Sequence, residues 1–78
     1  MKAEELLKQF DKINTNGMQL SKRRGLLTST WLLYQKNNFY YFFDIMDNIV
    51  FCDDYKYSKD EFLEEYKNSY FKIDCEIS

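Results

Sequence analysis

The chain has no histidine and no proline, and only two glycines, two cysteines and one tryptophan among its 78 residues. Without histidine it lacks the commonest general base and metal ligand near neutral pH, and Ser-His and Cys-His nucleophile pairs are excluded. Cys52 and Cys75 alone cannot complete a zinc site, are too few for a disulfide-stapled secreted scaffold and form no C-x-x-C pair. Both are expected to act as small apolar side chains. Two glycines cannot build a glycine-rich phosphate loop. No apolar run approaches the roughly 18 residues of a spanning helix, and Met1-Lys2-Ala3-Glu4-Glu5 has neither the apolar region nor the cleavage site of a secretory signal. The expectation is a cytoplasmic protein that is not an enzyme, with no cofactor, no metal, no catalytic residue and no membrane partner. Acids such as Asp44, Asp53 and Asp54 leave carboxylate chemistry open in form, but runs of acids are usually a solvated face.

Aromatic and charged side chains, by contrast, make up 19% and 31% of the chain. That balance marks a folded protein, because a disordered chain lacks the apolar surface that offsets ordering entropy. The length fits one domain over residues 1–78. A domain of this size buries only about 60 to 65% of the surface its unfolded form exposes. Charge is unevenly divided: from Lys12 to Phe43 there are five basic residues and no acid, and from Asp44 to Tyr66 eight acids against two lysines. The halves could attract each other, or each could offer a partner a surface of one sign.

Leu6, Leu7, Phe10 and Ile13 recur at the spacing of one helix face and predict a helix over 2–14, stopped by Asn14-Thr15-Asn16-Gly17. Residues 26–35, rich in threonine and carrying Trp31, predict a strand that enters a hairpin at Asn37-Asn38. A second strand is expected from Phe39 to Met46 and a third from Ile49 to Tyr55, with a turn at Asp47-Asn48 between them. Met18–Leu20 is at most a short strand before a loop over Ser21–Gly25. Ser58-Lys59-Asp60-Glu61 is a capping box that opens a helix running to about Lys67. Phe71, Ile73, Cys75 and Ile77 alternate with polar residues, as in a strand buried on one face. The order α-β-β-β-α-β describes an α+β domain: an antiparallel sheet of three to four strands, a meander plus the C-terminal strand, with two helices on one face.

Phe39-Tyr40-Tyr41-Phe42-Phe43 places large rings on both sides of that sheet, since successive strand side chains point to opposite faces. Two-residue loops in both hairpins would put Leu32, Phe43 and Cys52 on one face, near Tyr34, Tyr41, Ile45 and Val50. Trp31, Leu33, Tyr40, Phe42, Asp44, Phe51, Asp53 and Tyr55 would share the other. The first set carries fewer charges and is the expected helix-covered core. The second is the expected contact surface, with Trp31, Tyr40, Phe42 and Phe51 as anchors.

These residues suggest a small protein-interaction module that self-associates or holds a larger protein. Two other readings remain. Lys22, Arg23 and Arg24, the only basic cluster, could meet phosphates in a nucleic-acid-associated regulatory protein, or could add charge at the rim of a protein contact. The acidic tract with Asp53, Asp54, Glu64 and Glu65 could imitate nucleic acid, as small phage-type inhibitors do at the level of class. The shortage of proline and histidine beside many Asn, Lys, Tyr, Phe and Ile residues fits an AT-rich genome or a mobile element, which concerns origin rather than activity.

Overall fold

The computed structural model describes residues 1–13, 15–47 and 51–77, Arg24 by its backbone alone. The amphipathic start forms α1 (Ala3–Lys12), which buries Ala3, Leu6, Leu7 and Phe10 at i, i+3, i+4 and i+7. Its Glu4–Lys8 ion pair, 3.6 Å long and largely solvated, adds little to stability. Strands β1 (Gly17–Arg24), β2 (Leu27–Lys36), β3 (Phe39–Asp44) and β4 (Lys56–Tyr57) follow, then α2 (Lys59–Glu65) and β5 (Tyr70–Ile77). The fold is α+β, with a five-stranded antiparallel sheet in the order β4-β3-β2-β1-β5.

A three-strand meander is present, but it begins one strand earlier than the sequence predicts. Residues 21–24 of the expected Ser21–Gly25 loop are the second half of β1, paired with β2 on one side and, as far as Arg23, with β5 on the other. Backbone partners on both edges hold its polar run Ser21-Lys22-Arg23 extended against weak local propensity. Gly25, at φ +63°, and Leu26 close the β1–β2 hairpin; a positive φ at the first turn residue is the pattern of a type II′ turn. The strand expected over 49–55 is replaced, within its described residues, by a turn at Phe51 and a 3-10 turn at Asp53–Tyr55. Consecutive aspartates favour turns over ladders. Ile49 and Val50, and with them Asn48 of the expected turn, lie outside the described residues.

The Asn37-Asn38 hairpin does have a two-residue loop. Both asparagines have positive φ, 53° and 68°, as a type I′ turn requires. It pairs Trp31 with Asp44, Leu33 with Phe42 and Gln35 with Tyr40 on one face, and Leu32 with Phe43 and Tyr34 with Tyr41 on the other. The two faces of β2 and β3 are therefore divided as expected, but the helices cover the opposite one. Met18 and Leu20 on β1 pair with Leu33 and Trp31 on β2, and on β5 Ile73 pairs with Leu20 and Phe71 with Lys22 on the same face. With Phe42 these apolar side chains belong to or pack against one hydrophobic cluster, to which α1 contributes Ala3, Leu6, Leu7 and Phe10 and α2 contributes Phe62. Once β1 is central, the face that carries its apolar residues must be the covered one.

A register shift between β1 and β5 at Gln19/Leu20 ends the expected alternation. Phe71 is buried beneath the helices, but Cys75 pairs with Gln19 past the shift and is exposed, which corrects its expected role as a small apolar side chain. The second face is partly covered by the chain itself. Phe51 meets Tyr41 edge-on at 5.2 Å and Tyr34 at 5.9 Å, and Tyr55 lies 6.1 Å from Phe43. Phe51 and Tyr55 thus belong with Tyr34, Tyr41 and Phe43, not with Trp31 as expected. Phe51 does so at φ 61°, a left-handed conformation that costs a non-glycine residue about 1–2 kcal/mol. Elsewhere this face is polar: Gln19, Ser21, Arg23, Thr28, Thr30 and Lys72 share it.

Candidate interaction surface at one end of the sheet

Among the described residues six large apolar side chains are exposed, and five of them sit at one end of the sheet. Leu26 (95% exposed) and Leu27 (78%) form the tip of the β1–β2 hairpin, Ile45 (39%) and Met46 (82%) follow β3, and Tyr70 (56%) opens β5. Their shared location follows from strand direction. The end of β1, the start of β2, the end of β3 and the start of β5 coincide in an antiparallel sheet ordered β3-β2-β1-β5. The Ile45 N–H donates to the Thr30 carbonyl (3.1 Å), and Tyr70 pairs with Arg23. The hairpin tip runs on three residues beyond Thr30, about 10 Å at the usual strand rise. Behind it the Asp44 carboxylate accepts the Met46 N–H at 2.8 Å and fixes the turn after β3.

The basic residues meet this end but do not form one patch. Lys22 lies on the helix-covered side, its Nζ 4.4 Å from the Trp31 ring and 5.1 Å from Tyr66. Arg23 registers on the other face, and its Nε–H donates to the Gly25 carbonyl at 3.1 Å. Arg24 ends β1 opposite Leu27. Beside the hairpin a cleft of about 420 Å³ is lined by Lys22, Arg23, Glu65, Tyr66, Ser69 and Tyr70 among others.

The expected anchors are mostly internal. Tyr40 and Phe42 are 3% and 0% exposed beneath the helices, and Trp31 is half-buried, stacked on Phe42 at 4.8 Å with its indole N–H donating to Ser29 Oγ. These three are corrected from contact residues to core and core rim, because the helices lie on their side of the sheet. Phe51 is the fourth, 41% exposed but engaged over Tyr34 and Tyr41, away from the apolar end. The acidic candidates are split between layers: Asp53 and Asp54 lie in the 3-10 turn on the Phe43 side, whereas Glu64 and Glu65 belong to α2 on the Phe42 side. Glu64 also accepts from Lys67 at 3.0 Å. No single acidic face joins these four.

Tyr40 and Tyr66 are hydrogen-bonded through their hydroxyls. Tyr40 donates to the Asp11 carboxylate at 2.9 Å, and burial together with that neighbour pushes its hydroxyl up to about 12. Burial, and a 3.1 Å contact with the Tyr57 hydroxyl, raise Tyr66 further. The Asp47 charge raises Tyr55. Glu61 is lowered by the Ser58 backbone N–H of the capping box, 2.9 Å away. These perturbations follow from burial, a helix cap and a neighbouring charge, and the four groups do not gather in one cleft. Among the described residues no three carboxylate or thiol groups are placed to hold a metal ion, and no helix is long and apolar enough to cross a membrane.

The exposure of Leu26 and Leu27 is what the sequence reading misses, because two leucines before a threonine-rich run look like the buried start of a strand. The available signal is Gly25-Leu26 as a two-residue loop between two extended runs. No protein-family model matches the chain, and no curated protein or solved structure is significantly similar to it.

Proposed function

We propose that this protein is a non-catalytic interaction module that holds a larger protein through the apolar end of its sheet. The observation that carries this reading is the gathering of Leu26, Leu27, Ile45, Met46 and Tyr70 at one end, with both hairpin-tip leucines more than three-quarters exposed. Large apolar side chains left exposed together at one end of a sheet are what a contact site presents. Basic strand positions just behind the tip favour a partner with an apolar pocket and an acidic rim. The same charges disfavour self-association through this end, since two copies would bring like charges together.

Strand addition is the less suitable mode. β4 has only two residues. The outer edge of β5 is occupied at Phe71, whose carbonyl accepts from the Met1 amino group at 2.7 Å and whose N–H donates to the Met1 carbonyl at 2.8 Å. A register shift and the charged Lys72, Asp74 and Glu76 blunt the remainder. The test is a Leu26→Ser/Leu27→Ser double variant. It is expected to melt like the wild type and to lose partner retention from host extract, while Phe51→Ser retains the partner. Retention by the leucine variant would overturn the proposal.

A further inference from the structure

The cleft beside the hairpin has a composition that the apolar end does not explain, and it stands whether or not Leu26 and Leu27 meet a protein. Its volume, about 420 Å³, lies within the range of small-molecule sites. Two cations line it, Lys22 and Arg23, with two tyrosines, an asparagine and a serine. Tyr70 and Arg23 are cross-strand partners, so an exposed ring and a guanidinium stand side by side on rigid β-structure. Tyr70 remains 56% exposed as a residue, with the Lys2 Nζ over its ring at 4.5 Å from the centroid. Lys22 is held between Trp31 and Tyr66, which fixes its charge at the inner wall. Asn68 and Ser69 add polar groups at the rim.

An exposed aromatic ring beside fixed cations is the combination with which proteins hold unpaired nucleotides: the base stacks, and its phosphate meets the charge. We propose that this cleft binds a nucleotide unit, with the base on Tyr70 and the phosphate on Arg23 assisted by Lys22. The unit could come from a single-stranded nucleic acid or from a free nucleotide, which offer the same chemistry. Glu65, the acid in the lining, opposes a phosphate and limits affinity.

The test is fluorescence anisotropy of a labelled (dT)10 strand, with unlabelled dTMP and a duplex of equal length as competitors. Binding of (dT)10 is expected to weaken roughly sevenfold between 50 and 200 mM salt, as two phosphate contacts on a single strand predict. Tyr70→Thr, which keeps β propensity but removes the ring, is expected to weaken binding about tenfold, and Tyr70→Phe to restore it. Arg23→Gln weakens it and Glu65→Gln strengthens it. Displacement by dTMP at comparable concentration supports a free nucleotide as ligand; displacement only by strands supports nucleic acid. The proposal is overturned by absence of binding to either probe at 50 mM salt, by affinity unchanged in both Tyr70→Thr and Arg23→Gln, or by a duplex that competes better than the single strand. Thermal melts of each variant separate loss of binding from loss of fold.

Discussion

Phe42 is the side chain on which the helix-covered core converges. Its ring lies 4.8 Å from Trp31, 4.9 Å from Tyr66, 5.3 Å from Phe62 and 5.8 Å from Phe71. Phe42→Ala is expected to cost about 3–5 kcal/mol, against a total of about 5–15 kcal/mol for an ordinary domain. Urea denaturation should find it at the edge of unfolding. Leu26→Ser should shift stability by no more than about 0.5 kcal/mol, since the side chain is almost wholly in water. Equal losses at the two sites would contradict the burial described above. Tyr40 adds a pH dependence. Its folded value is raised to about 12 from 10.0, so the unfolded chain ionises first as pH rises. The stabilising contribution is complete below pH 10 and is lost as pH climbs towards 12. Denaturation midpoints measured across that interval should fall, and Tyr40→Phe should fall less.

Local elements report how their residues were chosen. The Ser58 cap receives the Glu61 N–H at 3.2 Å while Glu61 reaches back to the Ser58 N–H, so Ser58→Ala is expected to cost about 1 kcal/mol in thermal denaturation. At the β2–β3 turn Asn38 has φ 68°, and Asn38→Gly should stabilise by up to about 1 kcal/mol, whereas Asn38→Val should destabilise. Such elements were legible because one short segment contains the whole signal: a capping box, an Asn-Asn turn, an i, i+3, i+4, i+7 helix face. β1 was not, because its extended form depends on partners in β2 and β5 that are distant in sequence. The covered face was not legible either. The hairpin separates Tyr40 and Phe42 from Tyr41 and Phe43, but which pair the helices meet is decided by Met18, Leu20 and Phe71. The same non-local dependence governs the candidate surface. Lys22, Arg23 and Arg24 stand out in the sequence, but the exposure of Leu26 and Leu27 requires knowing that Gly25 turns the chain.

At the scale of the whole molecule, four of the five aromatics in the run are buried, Tyr40 and Phe42 under the helices and Tyr41 and Phe43 on the face that Phe51 and Tyr55 partly cover, while Phe39 is half-buried. Both edges of the sheet are blunted. Among the described residues, exposed apolar side chains gather at one end, with Leu26 and Leu27 on the protruding hairpin tip and Ile45, Met46 and Tyr70 behind it. Blunted edges and like charge at that end predict a monomer in sedimentation at micromolar concentration. The claim that this end makes the contact is tested most directly by photocrosslinking in host cells with a benzophenone side chain at position 26 and, in parallel, at position 51. The account predicts an adduct of defined mass from position 26 and none from position 51. An adduct from position 51 alone would return the contact to the aromatic face and contradict it.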